Sequence, residues 1–328
     1  MVNYQEFMEN VKKEIAQLLE TEEKEVRIHK VIKNNDIELD ALMVVGRDTN
    51  ISPTIYLNSY YEEFENGRNF SEIVHEIFQL YRDHCGKMIF SLEEFQDFSQ
   101  IKKKVAFRII NTKLNEKLLK DIPSKKFLDL SIVYYTIIDQ GENGNGSATA
   151  LIHNSHLDLW GIHKDELHRV AMKNTPKLLE WEIRSMDSII RDMLVKEFEE
   201  NEEMQAIVRE SGDDTYYGRV AEQKVEELNE HREDIKMFVL TNKMKMNGAA
   251  CILYQDVLKQ FAKECGGNIF ILPSSIHEVI LVPAKKGITQ SELDCMVRDV
   301  NREAVEDGEV LSNHAYLYRK EVDKIVMS

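Results

Sequence analysis

Near the N-terminus Phe7, Val11, Ile15 and Leu18 recur at three- and four-residue steps, which predicts an amphipathic helix with one apolar face. The period then shortens. Glu25–Lys33 and Ile37–Val45 alternate apolar and polar positions and predict two strands, joined by the polar turn Asn34-Asn35-Asp36. A loop containing Pro53 leads to a short strand, Thr54–Leu57. Helical spacing returns over Ser59–Asn66, Phe70–Arg82 and Leu92–Phe98, the last preceded by the capping-box pair Ser91 and Glu94. Val105–Asn111 and Phe127–Ile138 predict strands, and the second is apolar enough on consecutive positions to be buried on both faces.

The glycine-rich stretch Gly141–Ser147 is the clearest turn signal in the chain. After it come a strand, Thr149–Ile152, and helices over Ser155–Leu159, Lys164–Lys173 and Ser185–Glu199. Ala221, Val225 and Leu228 set a further helical register. Met237–Asn242, Asn268–Pro273 and Glu278–Pro283 are strands. A long helix, Ala249–Glu264, lies between the first two and is stopped by Gly266-Gly267. A helix over Ser291–Ala304 and the strands Ala315–Arg319 and Asp323–Met327 follow. Helices and strands do not alternate strictly. The expected fold class is therefore α+β, with mixed or antiparallel sheets packed against helices and a charged helical insertion. The turn at 141–147 suggests an N-terminal half, 1–140, and a C-terminal half, 141–328, unless the two are continuous.

One segment echoes another. Thr54–Phe64 aligns with Ala150–Trp160: each is a short strand, then Asn-Ser, then a helical turn ending in a large aromatic. Ser59 with Glu62, and Ser155 with Asp158, stand at capping-box spacing, so these serines are the expected helix caps.

Composition changes the picture mainly through charge. The formal net charge is −16, which disfavours binding to nucleic acid because phosphates need clustered Lys and Arg. Fourteen acidic and four basic residues lie between Glu197 and Asp234, a net of −10, so the acidity belongs chiefly to one segment. No apolar run is long enough to span a bilayer. Cys85, Cys251, Cys265 and Cys295 show no CxxC pairing, which points to free thiols, a reducing cytoplasmic setting and no cysteine-based metal site.

Two stretches concentrate chemistry-bearing side chains. Four of the ten histidines, His153, His156, His163 and His168, fall within 16 residues. Imidazoles are common zinc ligands, but these lack the i, i+4 step that aims two rings at one ion, and Leu57 and Tyr60 replace His153 and His156 in the echo. Ser275, His277 and Glu278 sit between two strands, where a hydroxyl, a base and a carboxylate could converge, although no G-x-S-x-G elbow exposes the serine. No P-loop, dinucleotide fingerprint or calcium loop occurs, so no cofactor is expected. The amides of Gly248-Ala249-Ala250, opening a helix, are a candidate anion cradle or simply a close packing point.

The segments Ser52–Gly67, Ala150–Pro176 and Asn247–Pro283 resemble an uncharacterised family of bacterial cytoplasmic proteins, DUF5688. Trp160–Asn174, with its W-G-I-x-x-x-E-L-H-x-x-A-x-x-N pattern, is more remotely similar to a second such family, DUF1444. The resemblance spans about Tyr4 to Arg319 and thins over Glu197–Asp234. It implies that His153–His156 and Pro273–Glu278 are landmarks of fold or site, and it transfers no activity.

The leading expectation is a non-enzymatic binding or regulatory protein that meets a protein partner through Glu197–Asp234. The competing one is a metal-assisted or His-dependent hydrolase using His153, His156, Ser275, His277 and Glu278. A third is an acidic mimic of nucleic acid, which would range its carboxylates along one face.

Overall fold

In a computed structural model, all residues are described except 1, 47–53, 85–91, 140–147, 231–234, 285–286, 288 and 328. The expected Pro53 loop, the Ser91 cap, Cys85 and the Gly141–Ser147 turn therefore lie outside the described residues.

The first helix, α1 (Tyr4–Leu18), is opened by a capping box in which Asn3 accepts from the Glu6 amide and Glu6 accepts from the Asn3 amide. Phe7, Val11 and Ile15 are fully buried, as their spacing predicts, but Leu18 is exposed and Leu19 is buried in its place. Leu19 is the C-cap, where the backbone leaves helical geometry. Strands β1 (Lys24–Ile32) and β2 (Glu38–Gly46) pair antiparallel in register Lys24↔Gly46 through Ile32↔Glu38. Their turn is tight because Asn35 and Asp36 adopt left-handed backbone, which Asn and Asp tolerate better than most residues. β3 (Ile55–Tyr56) adds to β2, completing one sheet. It leads into α2 (Leu57–Glu65) and α3 (Phe70–His84). Phe7, Val11, Ile15, Leu42, Leu57, Ile73 and Ile77 form one apolar core, with Tyr61, Phe64 and Phe70 packed around Phe7. The predicted helix Leu92–Phe98 is two short ones, α4 (Leu92–Gln96) and α5 (Phe98–Ile101), because Asp97 turns extended and caps the second through the Ser99 amide.

β4 (Val105–Asn111), β5 (Ser124–Phe127), β6 (Leu130–Asp139) and β7 (Ala148–Leu151) form a second sheet, ordered β4-β6-β5 with β7 also on β6. The predicted strand beginning at Phe127 is divided: Phe127 ends β5, Leu128 turns at φ 54°, and β6 begins at Leu130. From Leu130 to Ile137 every residue of β6 is buried, as its apolar run predicts. Next come α6 (Asn154–Trp160) and α7 (Lys164–Leu178).

β8 (Trp181–Ser185) was not predicted, although its alternation Trp-Glu-Ile-Arg-Ser carries a period of two. After it come α8 (Met186–Glu200), α9 (Glu202–Ser211), α10 (Tyr216–Glu230) and β9 (Phe238–Asn242). The expected long helix over 249–264 is instead a 3-10 turn, Gly248–Leu253, followed by α11 (Val257–Cys265). Asp256, at φ 63°, interrupts the helical path, and Gly266 ends α11 in left-handed backbone as anticipated. β10 (Ile269–Leu272), β11 (Val279–Pro283), α12 (Gln290–Ala304), β12 (Tyr316–Arg319) and β13 (Lys324–Met327) complete the described elements. Six strands form the third sheet, ordered β13-β12-β10-β11-β9-β8. Leu272, Val282, Leu293, Val297 and Ala315 pack α12 onto it.

The sheets are antiparallel and the fold is α+β. The chain packs as two compact units. The first comprises Met1–Ala106, Thr112–Lys125 and Val133–Asn174; the second comprises Phe107–Asn111, Lys126–Ile132 and Thr175–Ser328.

Candidate functional site

His153 and His156 belong to the first unit, Ser275, His277 and Glu278 to the second. Each group is described by itself.

β7 ends at Leu151 and α6 begins at Asn154, so the N-cap is His153, not the predicted Ser155. The His153 amide donates to Nδ1 of His156 at 3.1 Å, which places a ring where a Glu would stand in a capping box. The Asn154 amide donates to the Asp121 carbonyl at 2.9 Å and fixes the junction one residue earlier than the serine pattern suggests. In the echo α2 likewise begins at Leu57 with Tyr56 as N-cap, so Ser59 also lies inside its helix. The echo is real as strand-to-helix geometry and wrong as to the caps.

The Nδ1 of His153 lies 2.7 Å from Oδ2 of Asp121. That contact orients the ring and places Nδ1 toward the carboxylate. Sequence reasoning missed Asp121, and a carboxylate in a different element leaves no spacing signature. His156 is packed edge-on to Phe95 at 4.9 Å between ring centroids and against Trp160 at 5.6 Å. Burial, then the neighbouring His153, push its pKa below the ordinary imidazole range, so it rests neutral. His163 is exposed. His168 turns elsewhere, with Nδ1 3.0 Å from the buried Tyr134 hydroxyl, and its pKa is lowered by burial and then by Lys125. Four histidines close in sequence thus serve separate purposes. Among the described residues no group of three or more His, Cys, Asp or Glu side chains is arranged to hold a metal ion.

The W-G-I…N segment is occupied by packing. The Trp160 indole donates to the Phe95 carbonyl at 2.6 Å, and Gly161 takes the left-handed C-cap position. Leu167 and Ala171 are fully buried, and the Asn174 amide donates to the Lys102 and Val105 carbonyls.

In the second unit the Pro273–Glu278 connection is a backbone hub. The carbonyls of Pro273, Ser274 and Ile276 accept from the amides of Ser312, Leu311 and Ala249, while the Ile276 amide donates to Glu309. The His277 carbonyl accepts from the Thr241 hydroxyl at 2.8 Å. Ser275 Oγ accepts from the His277 backbone amide at 3.0 Å, a local turn bond. Both ring nitrogens of His277 are engaged: Nδ1 accepts from the Asn247 amide at 3.4 Å, and Nε2 is 3.1 Å from Glu309. Glu278 is exposed. Gly248 decides how closely this hub packs. A Cβ there would collide with Thr241 Oγ1 and the His277 carbonyl oxygen and would sit 2.9 Å from the Asn242 nitrogen. The Ala249 and Ala250 amides donate to the Ile276 and Asn247 carbonyls, so the expected anion cradle is filled by the chain itself. Cys251 beside them is fully buried, donates to the Thr241 carbonyl, and has its thiol pushed up to about 12 by burial.

The described part of the Glu197–Asp234 segment, up to Glu230, is the end of α8, then α9 and α10. α8 and α10 pack together, with Arg191 and Glu222 3.8 Å apart. In α10 Ala221 and Val225 are buried as their register predicts, but Leu228, the third residue of that register, is 41% exposed, and neither α8 nor α9 has a buried residue. α9 is amphipathic all the same. Met204 and Val208 are only half-buried, and Ile207, on the same side, is 43% exposed. Its N-terminus is capped by Asn201 and carries Glu202 and Glu203.

An antiparallel α+β protein with a hydrogen-bonded hub and an acidic helical arm is the class these features define. The chain belongs to the family of unknown function DUF5688, whose sequence profile matches residues 4–320. No curated protein and no solved structure matches it. No helix among the described residues is long and apolar enough to cross a membrane.

Proposed function

We propose that this protein is a non-enzymatic binding or regulatory protein, and that the α8–α10 arm docks a protein partner with an apolar strip rimmed by Lys and Arg. The observation that carries this reading is α9, a capped, amphipathic helix none of whose residues is fully buried by its own chain. A helix of ten residues gains little from propensity alone, so its apolar side is most useful when covered. The surplus of carboxylates around it selects a basic partner and repels nucleic acid. The free, partly buried thiols support a reducing cytoplasmic setting.

The test is quantitative recovery of a defined partner from lysate by the full chain, by Ile207→Glu and by Glu202→Lys/Glu203→Lys. One stoichiometric partner that both variants lose, and that salt releases from the native chain, supports the proposal. Equal recovery by all three chains, or no partner for any, sinks it.

A second reading, a His-dependent hydrolase, is favoured only by the Asp121–His153 pairing, which is the arrangement that orients a general base. Turnover of an activated ester that His153→Gln and Asp121→Asn both abolish would support it.

A further inference from the structure

The second unit holds a cavity of about 640 Å³ between α11, the turn Gly248–Leu253 before it, and the β12–β13 hairpin. Phe127, Ile252, Leu258 and Ile325 give it an apolar part of its lining, with Tyr318 among the other residues around it. Its rim carries balanced charge. Lys259 stands between Asp256 and Asp323, its ammonium 3.8 Å from one carboxylate and 3.7 Å from the other. Both distances exceed a direct hydrogen bond, so neither carboxylate is saturated by that lysine. The Tyr318 hydroxyl donates to Asp323 at 2.6 Å and fixes that carboxylate, while Lys324 adds a second ammonium with no ion-pair partner among the described residues. Asp256 and Asp323 both sit at positive φ, 63° and 51°, so backbone geometry as well as side-chain contact holds the two acids at the rim.

A lining that combines apolar side chains with two cations and two anions is complementary to a ligand that is itself apolar at one end and carries both charges at the other. We propose that this cavity binds a zwitterionic small molecule, an α-amino acid with a large apolar side chain. Its carboxylate meets Lys259 and Lys324, its ammonium meets Asp323 or Asp256, and its side chain lies on Phe127, Ile252, Leu258 and Ile325. The volume falls within the range of small-molecule sites. The three charged rim groups that alternate along Asp256, Lys259 and Asp323 match the short separation of ammonium and carboxylate on one α-carbon. The proposal is independent of the arm and its partner.

Calorimetric titration of the full chain with L-phenylalanine, 2-phenylethylamine, 3-phenylpropionate and glycine tests it. Saturable binding of L-phenylalanine is expected, with a loss of about tenfold or more for each analogue lacking one charge or the ring. Lys259→Met and Asp323→Asn should each weaken L-phenylalanine by about tenfold. Both positions are more than half exposed, so the fold should tolerate the changes, with thermal unfolding as the check. Lys324→Met provides a variant outside the Asp–Lys–Asp group should either misfold. Absence of saturable heat with L-phenylalanine up to about 10 mM overturns the proposal. So does equal affinity for 2-phenylethylamine, or undiminished binding in the folded variants.

Discussion

The Pro273–Glu278 hub and the α8–α10 arm belong to the same unit and are built on opposite terms. At the hub, backbone carbonyls of four consecutive-region residues are answered by amides or hydroxyls of the same chain, both His277 nitrogens are engaged, and Gly248 leaves no room for a methyl group. In the arm, α8 and α9 bury nothing fully, and Met193 and Ile207 remain 65% and 43% exposed. The hub holds the residue types of a catalytic site, and Ser275 and His277 are hydrogen-bonded within it. The arm is strongly acidic and leaves part of its apolar surface in water. Reactive-looking side chains therefore say less about function here than which groups lack a partner.

The largest expected effect breaks the hub. Gly248→Ala should destabilise the protein by about 3 kcal/mol, because the added methyl meets backbone and a hydrogen-bonded hydroxyl that cannot move apart. Chemical denaturation reads this directly, and a change below about 1 kcal/mol would show that the hub yields. Next in size is Tyr316→Phe. Its fully buried hydroxyl donates to Asp129 at 2.7 Å, and removing it leaves a carboxylate oxygen short of a donor, a loss of about 1–2 kcal/mol in the same assay.

A smaller effect concerns the histidines of the first unit. His156 and His168 have folded pKa values below the ordinary value of about 6.5, so the unfolded chain binds more protons there. Their contribution to stability is fully present above that value and is lost as pH falls through it toward the folded values. Stability of the native chain should thus decline on acidification through this window. The decline should flatten in His156→Gln/His168→Gln, and an unchanged slope would mean that these rings do not titrate with folding. Ile207→Glu should be the smallest for stability, within about 0.5 kcal/mol of the native chain, since that side chain is 43% exposed. A large loss of stability there would close the gap between arm and hub, because it would mean that the chain itself uses that face.

What the sequence determined by itself is the set of elements whose apolar period is long and local. The first helix, the β1–β2 hairpin, the doubly buried run of β6, the left-handed stop at Gly266 and the concentration of acid in one segment were all legible, because neighbouring residues set them. Tertiary structure decided the rest. The cap of α6 fell on His153 because the Asp121 carbonyl claims the Asn154 amide, and Asp121 is 32 positions away from the ring it orients. Glu309 is equally distant from His277, which is why neither carboxylate could be found by spacing. The helix expected over 249–264 broke where the Ala249 amide is drawn to the Ile276 carbonyl and Asp256 turns left-handed. Local propensity sets which segments can be helices or strands. Whether a polar group is a site or a strut depends on partners that only the folded chain brings within hydrogen-bond distance.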